Sequence, residues 1–360
     1  MSDTKKKSSV YFIEARGEEG ETRLADKAKR LAEESGILSE LSDKDFAGIK
    51  LHFGEKDNTG FIKPGIVKEI ASLCASRAKH TALIETNTIY VGARSNTLSH
   101  LDLARSHGFC HDKIGVPIII NAGVTGRDFV SVKIDKKHLK EAKVASGVLD
   151  FDYILGLAHV TGHCQTGLGA CIKNIGMGCA SRAGKLQQHE SVLPEVAEVR
   201  CVGCCVCIKW CPASAITMRE KKAHIDKKKC VGCGECTVAC REGAIDIKWN
   251  EDLKNLQEKM VEYCYAALLG KKKGFMNFLI KITKDCDCMA KDDPRIIEDI
   301  GILASSDPVA IDKATTDILI KKAECDRLKE GYPETDWRIQ LEYASSIGLG
   351  SLDYELITIS

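Results

Sequence analysis

An α/β domain with a largely parallel sheet, carrying an inserted, cysteine-dense α+β module, is the fold class that this sequence predicts. Three observations carry it. Short apolar runs, each ending in a polar residue, alternate with helical patterns along the first half of the chain. A compact cysteine-rich block then runs from Pro194 to about Lys248. Beyond it the same alternation resumes, so 1–193 and 250–360 read as two parts of one α/β domain, with 194–249 inserted. A simple tandem of two or three domains is the competing layout.

The elements follow in order. VYFIEA (10–15) reads as a strand and ETRLADKAKRLAEES as the helix after it. GIKLHFGE (48–55) leads to PGIVKEIASLCASRA, whose proline suits the first turn of a helix. TALIETN (81–87), VPIIIN (116–121) and DYILGLAH (152–159) repeat the strand pattern. After the cysteine block, FMNFLIKIT ends at DCDC, and IGILASSDP feeds the helix DPVAIDKATTDILIKKA, for which Asp307 is the expected N-cap. YELITIS closes the chain as a strand. Open sheets of this kind bind ligands outside the carboxyl ends of their strands. His52, Glu55, Glu85, Asn87, Tyr90, His159 and His163 fall at those ends.

Composition narrows the function. Lys+Arg 52 against Asp+Glu 51 gives a net charge of +1, with no bulk attraction to nucleic acid or membrane. No apolar run approaches the ~20 residues of a membrane helix. The opening MSDTKKKSSVYF lacks an apolar signal region, so a cytoplasmic protein is expected. Eighteen cysteines in such a chain point to metal-bound thiolates in a reducing compartment rather than to disulfides.

Their spacing is specific. Cys201-x2-Cys204-x2-Cys207-x3-Cys211-Pro212 recurs 29 residues later as Cys230-x2-Cys233-x2-Cys236-x3-Cys240. AITM and AIDI follow the two runs, as in an internally duplicated fold. This is the pattern of two-cluster bacterial ferredoxins, in which the fourth cysteine of each run serves the other cluster. It assigns one [4Fe–4S] cluster to Cys201, Cys204, Cys207 and Cys240, and a second to Cys230, Cys233, Cys236 and Cys211. The insert is therefore expected to be a ferredoxin-like one-electron wire.

Ahead of the insert stands HCQTGLGACIKNIGMGCASRAGKLQQH (163–189). Its glycines allow close approach to a ligand, and its basic residues suit an anion. It lacks the Walker pattern, because Leu186 follows Lys185 where a hydroxyl residue should stand, and it lacks a clean G-x-G-x-x-G. This segment, with KDCDC, IGILASSDPVAIDKA and ETNTIYVGARSNTLSHLDLARSHGF, resembles the family called domain of unknown function 362 over nearly the whole chain. Members with such an insert are labelled uncharacterised iron–sulfur center proteins, a likeness that implies a family without a firm activity.

The spacing His163-x9-Lys173-x15-His189 is also similar to that of nickel-pincer lactate racemases. The resemblance implies an acid/base role for His163, a cofactor anchor at Lys173 and nickel ligation by His189. Asn174-Ile175-Gly176 stands where those enzymes carry Pro-Gly.

Cys286-Asp287-Cys288 forms a soft-metal clamp, and Cys179 is the candidate to join it in a third metal centre or cluster. His52, Arg182 and Lys185 are the ligand-binding candidates; His163, Lys173 and His189 are the catalytic ones. The expectation is an iron–sulfur oxidoreductase that passes electrons from the insert to a pocket in the α/β domain. Its partners would be a redox protein (ferredoxin, flavoprotein or reductase) and a small anionic substrate. The alternatives are a metal-dependent isomerase or racemase with an attached redox module, and a non-catalytic electron carrier or cluster-handling scaffold.

Overall fold

The computed structural model describes residues 7–90, 92–189, 193–230, 234–246 and 252–360. Eight strands form its main sheet: β1 (Ser8–Glu14), β2 (Phe46–Lys50), β3 (His80–Glu85), β4 (Ile118–Ile120), β5 (Tyr153–His159), β6 (Lys272–Leu279), β7 (Gly301–Ser305) and β8 (Tyr354–Thr358). They lie in the order β8-β1-β7-β6-β5-β2-β3-β4. Every pairing is parallel except those of β7, which runs against both β1 and β6. No helix bridges β6 to β7, so the chain returns antiparallel; a parallel neighbour would need a crossover of a dozen or more residues, usually a helix.

Both faces of the sheet are covered, which is why its strands read as apolar runs. In β5, Tyr153, Leu155 and Leu157 join a core with Leu24, Leu31, Ile66 and Ile70. Those partners come from α1 (Glu21–Glu34) and α2 (Pro64–Ala75). Ile154 faces the opposite core with Ile172, Ile175, Met260, Val309 and Leu341. That side is built by α3 (Cys171–Gly178), α5 (Leu253–Leu268), α6 (Pro308–Ala323) and α7 (Arg338–Ser346); the short α4 (Arg182–Gln188) follows α3. β6 sorts likewise, Met276 and Phe278 to one core and Phe275 and Leu279 to the other. Alternation with a period of two thus places each strand between two helical layers.

The segment 193–246 carries a small core of its own, centred on Cys201, Cys207, Ile216, Ala223, Ile225, Cys236, Ala244 and Ile245. It contains two antiparallel pairings, one that closes its ends, Glu195–Val196 with Ile245–Asp246, and one hairpin, Ile216–Arg219 with Lys222–Ile225. Among the described residues no helix is long and apolar enough to cross a membrane.

Candidate functional site

A cavity of about 740 Å³ opens beyond the carboxyl ends of β2, β3, β5 and β6. The parallel strands all deliver their chain to this end, so residues far apart in sequence converge there. β2 ends at Lys50, whose amine is buried and bonds Glu85 at the end of β3 at 3.1 Å and Asn174 of α3 at 2.9 Å. The Asn174 amide donates in turn to the carbonyls of Lys50 and Leu157, tying α3 to β2 and β5. Asn174 is thus a strut between elements.

On the opposite wall, Arg94 donates to Glu55 at 2.8 Å and to His52 Nε2 at 2.6 Å. It also donates to Tyr90 and, at 3.2 Å, to the carbonyl of Cys288. Desolvation in the cavity holds the His52 ring well below the usual histidine range, with Arg94 pushing the same way. Asp287 lies 3.6 Å from His52 and 3.7 Å from His159. Burial alone would raise its carboxyl, but His52, His159 and Lys173 around it hold it well below the usual range.

Lys173 sits 3.7 Å from Cys286 Sγ and, among the described residues, has no carboxylate at salt-bridge distance. Desolvation brings its amine down to about 8. The ring of His163 is held well below its usual range by burial and by neighbouring Lys173 and His189. Lys185 is anchored to Thr86, to Asn87 O at 2.8 Å and to Ala180 O at 3.1 Å, and burial lowers it to about 7. Of the cations lining the cavity, Lys50 and Arg94 are paired with carboxylates, whereas Lys185 is held by a hydroxyl and two carbonyls and Lys173, among the described residues, has only the sulfur of Cys286 as a hydrogen-bond partner.

The glycine-rich segment folds more tightly than a loop. Thr161–His163 pairs with Gly167–Gly169 as a hairpin, and α3 and α4 follow at once. Two of its glycines approach protein rather than ligand. A Cβ on Gly178 would lie 2.2 Å from Lys50 Cε, and one on Gly176 would lie 2.3 Å from the Met260 carbonyl of α5. The buried Asp312 carboxylate accepts the first amides of α3, Cys171 at 2.9 Å and Ile172 at 2.8 Å, and burial raises it to about 6.

The cavity gathers His52, Glu55, Glu85, Tyr90, His159 and His163 from the strand ends singled out by sequence, together with Lys173, Lys185, His189, Cys286 and Cys288. Cys286 and Cys288 are joined as a disulfide, and a ring nitrogen of His163 lies within 4.8 Å of both sulfurs. Cys179 does not join them. At the end of α3 it turns into the core, where burial raises its thiol to about 11. Arg182 is fully buried away from the cavity, bonding Gly234 O at 2.8 Å and Thr237 Oγ1 at 2.9 Å in the insert. Lys50 and Arg94 escaped sequence reasoning. A lysine inside the apolar run GIKLHF was the one available signal.

In the insert, Cys201, Cys204, Cys207 and Cys240 surround one small cavity. Cys211, Cys230 and Cys236 line a second; Cys233 lies outside the described residues. The two halves repeat each other in detail. Cys205 and Gly234 both take positive φ before a short helix, and Ala215 N and Ala244 N donate to the sulfurs of Cys211 and Cys240 at 3.2 Å. Ala223 N donates to Cys201 Sγ at 3.4 Å. Thiol donors grouped around closed spaces, with backbone amides aimed at sulfur, fit iron–sulfur clusters, whose potentials such bonds tune. One end of this module meets the cavity wall: the hydroxyl of Thr237, next to Cys236, donates to Gly234 O at 2.7 Å and lies 3.3 Å from the carbonyl of Ile89.

A model of the family described as Domain of unknown function (DUF362) matches residues 48–317. No curated protein matches the chain. Two solved structures share a distant likeness. One is a Thermotoga maritima protein from a structural genomics consortium, 11% identical over 91% of this chain, with a TM-score of 0.40. The other is the lactate racemase apoprotein from Thermoanaerobacterium thermosaccharolyticum, 10% identical over 78% of this chain, with a TM-score of 0.38. The chain spans 59% and 52% of their respective lengths.

Proposed function

The chain belongs to the DUF362 family, and from that premise we propose that it is an iron–sulfur oxidoreductase acting on a small anion in the strand-end cavity. Cys201, Cys204, Cys207 and Cys240 would hold one cluster, and Cys211, Cys230, Cys233 and Cys236 the other. Bound there, the clusters would supply one-electron transfer. The observation that carries the reading is the close approach of Thr237, the neighbour of Cys236, to Ile89 in the cavity wall, its hydroxyl 3.3 Å from the Ile89 carbonyl. Arg182 holds the same contact by reaching Gly234, Thr237 and, at 3.5 Å, Ile89.

The chain's own residues supply the rest. Lys173, which unlike Lys185 is not taken up by hydroxyl and carbonyl acceptors, is the cation that would hold the substrate's charge. His163, kept largely neutral at pH 7, can take a proton from a bound substrate. The buried pairs Lys50–Glu85 and Arg94–Glu55 keep the cavity walls in place. A redox partner would recharge the insert, and the eighteen cysteines suit a reducing compartment.

The test is an iron and sulfide count on protein purified without oxygen, with paramagnetic resonance of the reduced form. About eight of each per chain, with signals from coupled reduced clusters, is the expected result. Zinc without sulfide would sink it. His163, Lys173 and His189 on one cavity also favour a second reading, an isomerase that moves a proton without net electrons. Turnover of a small hydroxy or keto acid that continues without any reductant would select that second reading.

A further inference from the structure

We infer that Cys286, Cys288 and His163 form a reductively opened site for a soft divalent metal, on the wall of the cavity and separate from the eight cluster cysteines. Both sulfurs and a ring nitrogen of His163 lie within 4.8 Å of one another, close enough to share one ion. Two thiolates and an imidazole are the donor set of a zinc-like site with one position left open.

The loop is held for this purpose from outside. The carbonyl of Cys288 accepts from Tyr90 Oη at 3.3 Å and from Arg94 at 3.2 Å. The carbonyl of Asp287 accepts from Glu55 N at 3.0 Å. Such supporting bonds fix the orientation of ligands before the ion arrives. His163 Nδ1 accepts the amides of Gln165 and Thr166 at 3.2 and 3.3 Å, which fixes the orientation of the ring. The ammonium of Lys173 lies 3.7 Å from Cys286 Sγ, so it would stand beside a metal held by that sulfur and could attract an anion to it.

In the structure the two sulfurs are bonded to each other, so the site has a closed, oxidised form. Opening would break one S–S bond and take two electrons, which two reduced clusters held by the insert's cysteines could supply, one each. The two thiolates that form are neutralised by the incoming dication, and no proton is consumed. A low-potential one-electron donor then recharges the clusters. The inference rests on the proposed electron delivery only for the source of these two electrons.

The experiment uses the cluster-loaded chain without oxygen, with Co²⁺ as the probe. Tetrahedral thiolate-bound Co²⁺ absorbs at long wavelengths where the clusters absorb weakly. After dithionite reduction, about one Co²⁺ per chain beyond the cluster iron is expected, and none before it. Cys286→Ser and Cys288→Ser should each weaken uptake by at least about 100-fold, and His163→Ala by roughly 10–100-fold, with cluster iron retained. Equal uptake in oxidised and reduced protein, or uptake that survives both serine variants, would overturn the site. A phosphine, which opens disulfides without using the clusters, separates the two ideas. Co²⁺ bound after phosphine but not after dithionite upholds the site and removes the clusters as its electron source. Co²⁺ bound after neither removes the site and leaves the cluster count to decide electron delivery.

Discussion

Lys185 shows how one buried amine governs behaviour with pH. Burial holds it down to about 7, with Lys50 and Arg94 pushing the same way against Glu85. Below pH 7 it is charged in both folded and unfolded chains, and the fold bears the full cost of the buried charge. Between about 7 and 10.5 the unfolded chain binds the extra proton, so stability from this group rises with pH, by about 1 kcal/mol per unit. Lys185→Met should therefore gain on the parent at pH 6 and lose that advantage by pH 9. Thermal midpoints measured without oxygen at both pH values check it. Gly178 carries a second prediction, because a methyl group there would press on Lys50 at 2.2 Å. Gly178→Ala should destabilise by roughly 2 kcal/mol. Gly331→Ala, whose nearest neighbour would be 3.6 Å away, should be neutral in the same midpoint assay.

Between elements, the decisive contact is α4 against the insert. Arg182 replaces bulk water with the carbonyl of Gly234 and the hydroxyl of Thr237, two charge-assisted bonds inside a buried interface. Arg182→Ala removes both and should speed iron release to a chelator on the order of 10-fold. Arg182→Lys should recover only part, since an ammonium cannot reproduce the planar fork. An unchanged release rate in both variants would mean that α4 does not hold the insert. At this scale the glycine-rich segment also corrects its sequence reading. Its glycines suggested a ligand cradle, yet Gly176 is small because α3 crosses the backbone of α5 closely. A requirement for closeness leaves the same trace in sequence whether the neighbour is ligand or protein.

At the scale of the molecule, the insert has its own core and contains all eight cysteines of the two runs. Residues 193–246 expressed alone should take up about two clusters on reconstitution, read as iron per chain. Failure to take up iron would mean that the contact with α4 is needed for the insert to fold. The larger domain depends on the opposite logic. Its cavity exists only where β2, β3, β5 and β6, from both parts of the chain, end side by side.

Sequence alone determined the strands, because burial on both faces writes itself as short apolar runs: each of the eight main-sheet strands falls within or against one of them. It also pointed to much of the cavity lining, His52, Glu55, Glu85, Tyr90, His159 and His163 among it, because strand ends and the Cys-x-Cys pair are local signals. The antiparallel course of β7, the roles of Lys50 and Arg94, and the separation of Cys179 and Arg182 from the cavity were decided in tertiary structure. Cys179 and Lys185 are six positions apart in one segment, yet the turn between α3 and α4 sends one into the core and the other to the cavity. A side chain's direction depends on which helix face its neighbours bury, and those neighbours lie over a hundred residues away in the chain, as Asp312 does from Cys171.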